Sequence, residues 1–418
     1  MEAIKIIKIK QNFEQKKIDN ISEYINHSFL NSDLKKRIKS GDKIGITVGS
    51  RGITNIGLIV KQIIIELKKI NALPFILTAM GSHGGANSEG QKEVLASYSI
   101  TEKEMGVPIL SSMETIQIGK VENNIPIYFS KDAMQTDGII ALNRVKIHTD
   151  FKSNIVESGM SKILVIGLGK EKGARAIHSL GIYGLKSIIP KAAKLIIKKA
   201  PIIQGIGILE NGYGQIMKIS FASPENIIKV DSELLKESKR ITPNLPVNEV
   251  DVAITQEIGK NISGTGFDTN IIGRLYINGE KEAKKPKIKK IVVFDITEES
   301  HGNALGIGLA DVTTRELVNK INYKDMYTNT ITSTFLNRAK IPITADTEKE
   351  AVEIAIKTCW QPNQKDLKLL IMKNTLDLEY LYISEAIWNE IKDSKKFEVC
   401  GNWEHLSFDS DGKMKIRL

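Results

Sequence analysis

Short runs of β-branched and apolar residues recur along the chain: KIGITV (43–48), PFILTA (74–79), GIIAL (138–142), KILVIGLG (162–169), QGIGILE (204–210), DVAIT (251–255), KKIVVFDIT (289–297) and LKLLIMKN (367–374). Many are continuously apolar rather than alternating, the pattern of strands covered on both faces. Between several of them the period lengthens. After Asn55, which the pattern offers as an N-cap, Ile56, Ile59, Val60, Ile63, Ile64 and Leu67 follow i, i+3/i+4 spacing and predict an amphipathic helix. Thr347 with Glu350 predicts a capping box for a helix reaching about Cys359, and Ser384 a cap for one running through Trp388. Strands alternating with helices predict an α/β fold with largely parallel sheets.

The segment PNLPVNEV (243–250) interrupts this alternation with two prolines and polar residues. A chain of 418 residues is long for one core, so two α/β domains are expected. Their ranges are 1–245 and 246–418, the second smaller and closing an active-site cleft. No internal repeat is visible, which argues against a solenoid.

No stretch reaches the roughly 18 uninterrupted apolar residues of a membrane span, so a soluble chain without a targeting segment is expected. Cys359 and Cys400 make neither a disulfide framework nor a CxxC pair, which fits a reducing cytoplasm. The net charge of +10 raises the question of a polyanionic partner. Lys186, Lys191, Lys194, Lys198 and Lys199 follow one amphipathic segment, and Lys281, Lys284, Lys285, Lys287, Lys289 and Lys290 crowd a loop. No nucleic-acid module or interleaved aromatic accompanies either group, and the Ile- and Asn-rich composition points to an AT-rich coding bias. Solvated faces are the expected reading, with no nucleic-acid partner.

Candidate chemistry gathers at strand ends, as it does in open α/β sheets. VGSRG follows the strand at 43–48, so Gly49, Ser50 and Gly52 form a strand-to-helix turn whose N–H groups could hold an anion beside the Arg51 fork. Such a turn equally serves tight geometry. AMGSHGGA follows the next strand and sets His83 among Gly81, Gly84 and Gly85, as an acid, base or ligand, or as a surface imidazole. From His148 to His178 two histidines and Lys152, Lys162, Lys170 and Lys172 fall within one interval of a chain that has six histidines. Asp150 could orient the His148 ring. Lys162, beside Gly159 at the mouth of the apolar run 162–169, is a candidate nucleophile or covalent anchor, or a solvated lysine; Lys170 and Lys172 compete with it. His83, His148 and His178 leave a zinc site open, although no HxxxH pair is present. A Walker motif, a complete GxGxxG and a GxSxG elbow are all missing.

Taken together, GSRG, AMGSHGGA, NRVKIHTDF, ESGMSKILVIGLGK and the distal His178 resemble the nickel-dependent lactate racemase family and its wider set of 2-hydroxyacid racemases and epimerases, most strongly over residues 40 to 215. In that family a lysine carries a pyridinium mononucleotide whose two sulfur-bearing arms and one carbon bind nickel, and a histidine completes the metal site. The lysine-to-histidine spacing there equals 178 − 162 = 16 here. The resemblance implies Lys162 as the covalent anchor of a nickel-pincer nucleotide, with Gly49, Ser50 and Gly159 beside the cofactor, and His178 as the nickel ligand. It implies His83 and His148 as paired acid/base groups and Arg51 as the carboxylate clamp. It also implies dependence on cofactor-biosynthesis enzymes.

Two departures fall on substrate contacts. Lactate enzymes of the family read Asp-His-Thr-Arg-Pro around the arginine, whereas Val48, Gly49, Ser50 and Gly52 surround Arg51. The family's second-domain glutamine and lysine find only an irregular counterpart in TQEIGKN, Gln256 and Lys260. The expected substrate is therefore a different 2-hydroxy acid, for instance a polyhydroxy sugar acid. Alternatives are a chemically silent binder of a small anion and a His-ligated zinc hydrolase.

Overall fold

The computed structural model of this chain describes residues 4–50 and 52–418, and the expectation for Arg51 lies outside them. The chain divides into two compact units, Glu14–Thr242, and the N-terminal segment through Phe13 together with Pro243–Leu418. The boundary sits at the proline-bearing segment read from the sequence. The N-terminal strand, however, belongs with the later residues. Lys5–Gln11 pairs antiparallel with Tyr380–Ser384, in a register that sets Ile6 opposite Ser384. Strand pairing over such a separation leaves no local signature.

In Glu14–Thr242 the sheet runs in the order 109–110, 73–78, 43–48, 138–144, 202–210, 216–222. All neighbours are parallel except the last pair. The apolar runs are buried on both faces, as their composition predicts. Ile44, Ile46, Ile76, Ile140 and Ile206 meet the helices Ile21–Asn31 and Ile56–Lys69 on one side. Phe75, Leu77, Ile139 and Ala141 meet Ile163, Leu164, Ala192 and Ile196 on the other. Each such side chain contributes roughly 1.5–3 kcal/mol of gross transfer free energy. The stripe Ile56, Ile59, Val60, Ile63, Ile64 and Leu67 is buried as its spacing requires. Asn55 makes no side-chain cap and instead takes a left-handed φ of 57°.

Sequence order reverses inside this sheet. From 43–48 the chain steps to 73–78 on one side and later returns to place 138–144 on the other. Loops leaving the carboxyl ends of 43–48 and 138–144 diverge, which opens the crevice where α/β sheets bind ligands.

The run 162–169 is not a strand. Met160–Lys162 is α-helical, Ile163–Gly167 is a wide π turn closed by Leu168 N–H donating to Ile163 C=O at 2.8 Å, and Lys170–His178 is α-helical again. Ile163, Leu164, Val165 and Leu168 are all buried. An element covered on all sides shows no amphipathic period, so apolar content alone could not separate helix from strand. The segment Ile189–Lys199 turns Ala192, Ala193 and Ile196 inward and leaves Lys191, Lys194, Lys198 and Lys199 exposed, the solvated face expected of it.

In the other unit the sheet order is 343–345, 312–314, 287–296, 249–258, 369–372, 380–384, 5–11, 397–399, and the first five strands are parallel. Lys287, Lys289 and Lys290 lie in a strand rather than a loop, and Lys289 pairs with Asp251 at 2.7 Å. Thr347 caps Glu348–Thr358 by accepting from the Glu350 amide, as expected. Ser384 precedes the helix Glu385–Ile391, but its hydroxyl bonds Leu367 and Leu369 instead. No helix among the described residues is long and apolar enough to cross a membrane.

The helix beginning at Met160 has no local capping side chain. Asp231, fully buried, supplies the cap from elsewhere in the chain, accepting from the amides of Met160 at 3.0 Å and Ser161 at 2.7 Å. Gly159 makes this approach possible. Its φ of 101° and ψ of −161° lie where only glycine is at ease, and a Cβ would sit 2.3 Å from Asp231 Oδ1. Gly181 also has a positive φ, 58°, but nothing lies within 4 Å of where its Cβ would be. Gly159→Ala should therefore destabilise by about 3 kcal/mol or more and Gly181→Ala by about 1 kcal/mol. Equal losses in urea denaturation would show that the Asp231 contact does not set the difference.

Candidate active site

The loops at the switch point carry the candidate residues of this unit. Gly49 and Ser50 follow the strand 43–48. A Cβ on Gly49 would lie 3.7 Å from Ile163 Cδ1, 3.8 Å from Ala79 C=O and 3.9 Å from Asn143 Oδ1, so three strand ends and the helical segment converge there. The Ser50 hydroxyl is 2.7 Å from His83 Nδ1, and Tyr98 donates its hydroxyl to Ser50 C=O at 2.7 Å. The His83 ring is exposed.

His148 is half-buried and held by its own loop. Its amide donates to Glu157 Oε2 at 2.8 Å, and its Nδ1 accepts from the Asp150 amide at 3.0 Å. Asp150 Oδ2 is 3.9 Å from the same nitrogen, which places a carboxylate beside the ring. Glu157 is fully buried, accepts from Ser153 at 2.8 Å and pairs with Lys239 at 3.0 Å. It clamps both ends of the turn that presents His148.

Phe151 links this loop to the helical segment. Its ring centroid is 4.6 Å from that of His148, and Lys162 Nζ lies 5.8 Å over the same ring. Gly159, three residues before Lys162, gives its carbonyl to Asn143 Nδ2 at 2.8 Å.

Lys162 and His178 are brought together by a bend. Sixteen residues of straight α-helix would span about 24 Å, and the same length of strand about 50 Å. Here the π turn and the left-handed φ of 53° at Lys170 fold the segment back. His178 is exposed, although the protein around its ring removes part of its hydration. That dehydration, reinforced by the Lys162 ammonium and opposed by Asp150, lowers its pKa to about 4. His178 is consequently neutral at physiological pH, with a ring lone pair available to a metal. Among the described residues no three His, Cys, Asp or Glu side chains form a metal-holding group, so His83, His148 and His178 do not build a zinc site between them.

The second-domain candidates lie in the other compact unit. Gln256 is buried, its amide donating to Ile416 C=O at 3.0 Å and accepting from Leu418 N–H at 3.1 Å. It fastens the end of the chain, which departs from the substrate contact expected of it. Lys260 donates through Nζ to Gly264 C=O at 2.6 Å and through its amide to Ser300 Oγ at 2.8 Å. Sequence reasoning missed Asp231, Glu157 and Gln91. A helix start at Gly159 without a capping side chain was the one available hint, and it does not say where the cap comes from.

The comparison with known families decides the assignment of this unit. Residues 2–187 match the lactate racemase N-terminal domain. The match covers less than half of the 418 residues, and over it the chain is similar to that domain. The matched domain spans Gly49, His83, His148, Lys162 and His178. The solved structure of the lactate racemase apoprotein from Thermoanaerobacterium thermosaccharolyticum shares 15% identity and a TM-score of 0.54, over 89% of this chain and 98% of that one. A Thermotoga maritima protein shares 14% identity and a TM-score of 0.52, over 85% and 96%. These two likenesses establish the fold. No curated protein matches the chain.

Within Glu14–Thr242 two groups titrate abnormally in the same acid window, with opposite signs. The folded-state pKa of His178 lies below the ordinary 6.5, so between about pH 6.5 and 4 the unfolded chain binds the extra proton and stability falls on acidification. Burial raises Asp231 from 3.8 to about 6, so the folded chain takes up that proton and stability rises over the overlapping range. His178→Gln should flatten the acid loss of stability between pH 6.5 and 4, and the His178 imidazole in the wild type should be neutral at pH 5.5 by NMR. A titration midpoint near 6.5 would show that neither the lost hydration nor the Lys162 ammonium acts on this ring.

Proposed function

We propose that this chain is a racemase or epimerase of a 2-hydroxy acid that works with a nickel-pincer nucleotide tethered to Lys162. The observation that carries the reading is the match of residues 2–187 to a lactate racemase N-terminal domain, with its candidate residues at the carboxyl ends of the strands around the switch point and Lys162 close enough to His178 to act on it electrostatically. The residues fit such a group. His178 would give a metal one imidazole donor, and the sulfur-bearing arms of a pincer nucleotide would supply the others. Lys162 would hold the nucleotide covalently, His178 would bind its nickel, and Gly49, Ser50 and Gly159 would flank it.

When bound, that cofactor supplies a reversible acceptor for the α-hydrogen of the substrate. His83 and His148 exchange the proton of the substrate hydroxyl. Two imidazoles are required because the hydroxyl points to opposite sides in the two stereoisomers. Ser50 steadies the first ring, and Asp150 offers the second a carboxylate partner. Arg51 clamps the substrate carboxylate. The glycines and serine beside Arg51, where lactate enzymes carry bulkier and acidic residues, favour a longer, polyhydroxy substrate.

The test is intact-mass and metal analysis of protein produced together with the cofactor-biosynthesis enzymes. An adduct on Lys162 and one bound nickel are expected; Lys162→Ala should lose the adduct, and His178→Ala should keep it with nickel lowered. Polarimetry over a panel of chiral 2-hydroxy acids should detect racemisation or epimerisation that His83→Ala and His148→Ala each reduce at least about 100-fold, within the range of general acid/base contributions. An unmodified Lys162 without nickel would sink the proposal. Nickel or zinc bound without any lysine adduct would point instead to a metal hydrolase.

A further inference from the structure

Lys170 is 2% exposed; its ammonium is hydrogen-bonded to neutral oxygens and is also attracted by the Asp132 carboxylate. Nζ donates to Thr78 C=O at 2.5 Å, Thr78 Oγ1 at 2.9 Å and Gln91 Oε1 at 3.3 Å, so its three hydrogens have three acceptors. Thr78 Oγ1 in turn donates to Gln91 Oε1 at 2.8 Å. Gln91, fully buried in the helix Ser88–Ala96, thus has its carbonyl oxygen aimed at the cation. Its Nε2 then faces the other way, donating to Gly81 C=O at 3.1 Å and His83 C=O at 3.2 Å. Gly81 is tied from its other side, its amide donating to Gly167 C=O at 3.1 Å in the π turn beside Lys162.

Burying an ammonium among neutral acceptors is costly, and an apolar side chain of the same length would fill the space without that cost. What the charge adds is direction. The Gly81 and His83 carbonyls already favour the Nε2 end of the Gln91 amide, and the cation at Oε1 reinforces that orientation from the other side, holding both Nε2 hydrogens on the glycine-rich turn. The left-handed φ of 53° at Lys170 is a further local cost borne at this position. Dehydration lowers its pKa to about 8, which agrees with a cation enclosed by the fold.

We propose that Lys170 is a positioning residue: acting through Gln91, it fixes the Gly81–Gly85 turn and so sets where His83 meets the substrate. The proposal rests on His83 being an acid/base group of the reaction, the reading given above. It makes the helical segment 160–178 serve all three tasks, with Lys162 for the tether, His178 for the metal and Lys170 for the opposing imidazole.

Gln91→Glu separates positioning from folding. The carboxylate keeps an acceptor for Lys170 and Thr78, and its ion pair with Lys170 offsets part of the loss, so the variant should still fold, but it has no hydrogens for the Gly81 and His83 carbonyls. In the full-length apoprotein, amide exchange over Gly81–Gly85 should rise at least about tenfold. The His83 imidazole titration should move while those of His148 and His178 stay in place. In cofactor-loaded enzyme kcat should fall at least about tenfold with KM within about threefold. Lys170→Met should reproduce the exchange and titration changes. In the wild type itself the Gln91 side-chain hydrogens should exchange slowly. Fast exchange of those hydrogens, or a folded Gln91→Glu variant with unchanged turn exchange and His83 titration, would overturn the proposal. A chain that turns over no 2-hydroxy acid would refute the functional reading alone, because exchange and titration are measured without turnover.

Discussion

The buried carboxylate of Asp231, accepting the amides of Met160 and Ser161, fixes where the helical segment 160–178 begins. An isolated buried carboxylate is unfavourable, and two amide hydrogens only partly replace the water it has lost, so its pKa is raised to about 6. In return, two orphan amides at a buried helix start are satisfied, and the segment acquires one register against the sheet. Lys162, Lys170 and His178 inherit their positions from that register. A shift of one residue would rotate each by about 100° and separate the set.

Buried charge recurs around the site. Glu157 clamps the His148 loop and Lys170 orders the His83 turn, while Asp231 starts the helix between them. None of the three is an exposed group available to substrate. Each exchanges a desolvation cost for a single allowed geometry in loops that, being glycine-rich or irregular, have little apolar surface to hold them. Rigid placement is what proton and hydride transfer require, since small displacements of reacting groups cost large factors in rate.

Much of the framework was legible along the chain. Continuous apolar runs at 43–48, 138–142 and 204–210 are strands because burial on both faces demands that pattern, and the stripe from Ile56 to Leu67 is a helix because one face is dry and the other wet. The run 162–169 failed for the same reason the others succeeded: once every face is covered, apolar content no longer reports a period. The N-terminal strand was misassigned because its partner lies at 380–384, and pairing at that range is chosen by the assembled sheet. Lys170, which competes with Lys162 along the sequence, is the buried one of the candidate lysines.

By itself the sequence determined the fold class, the strand ends that carry Ser50, His83 and His148, and the sixteen-residue spacing of Lys162 and His178. These are local properties: side-chain period, turn chemistry and position in the chain. Only the tertiary structure decided that the spacing is traversed by a bent helix, that His178 is held neutral beside Lys162, and that Asp231, Glu157 and Lys170 act as supports. Dehydration and long-range hydrogen bonding depend on which groups surround a side chain in space, and residues separated by seventy positions carry no mark in sequence of having met.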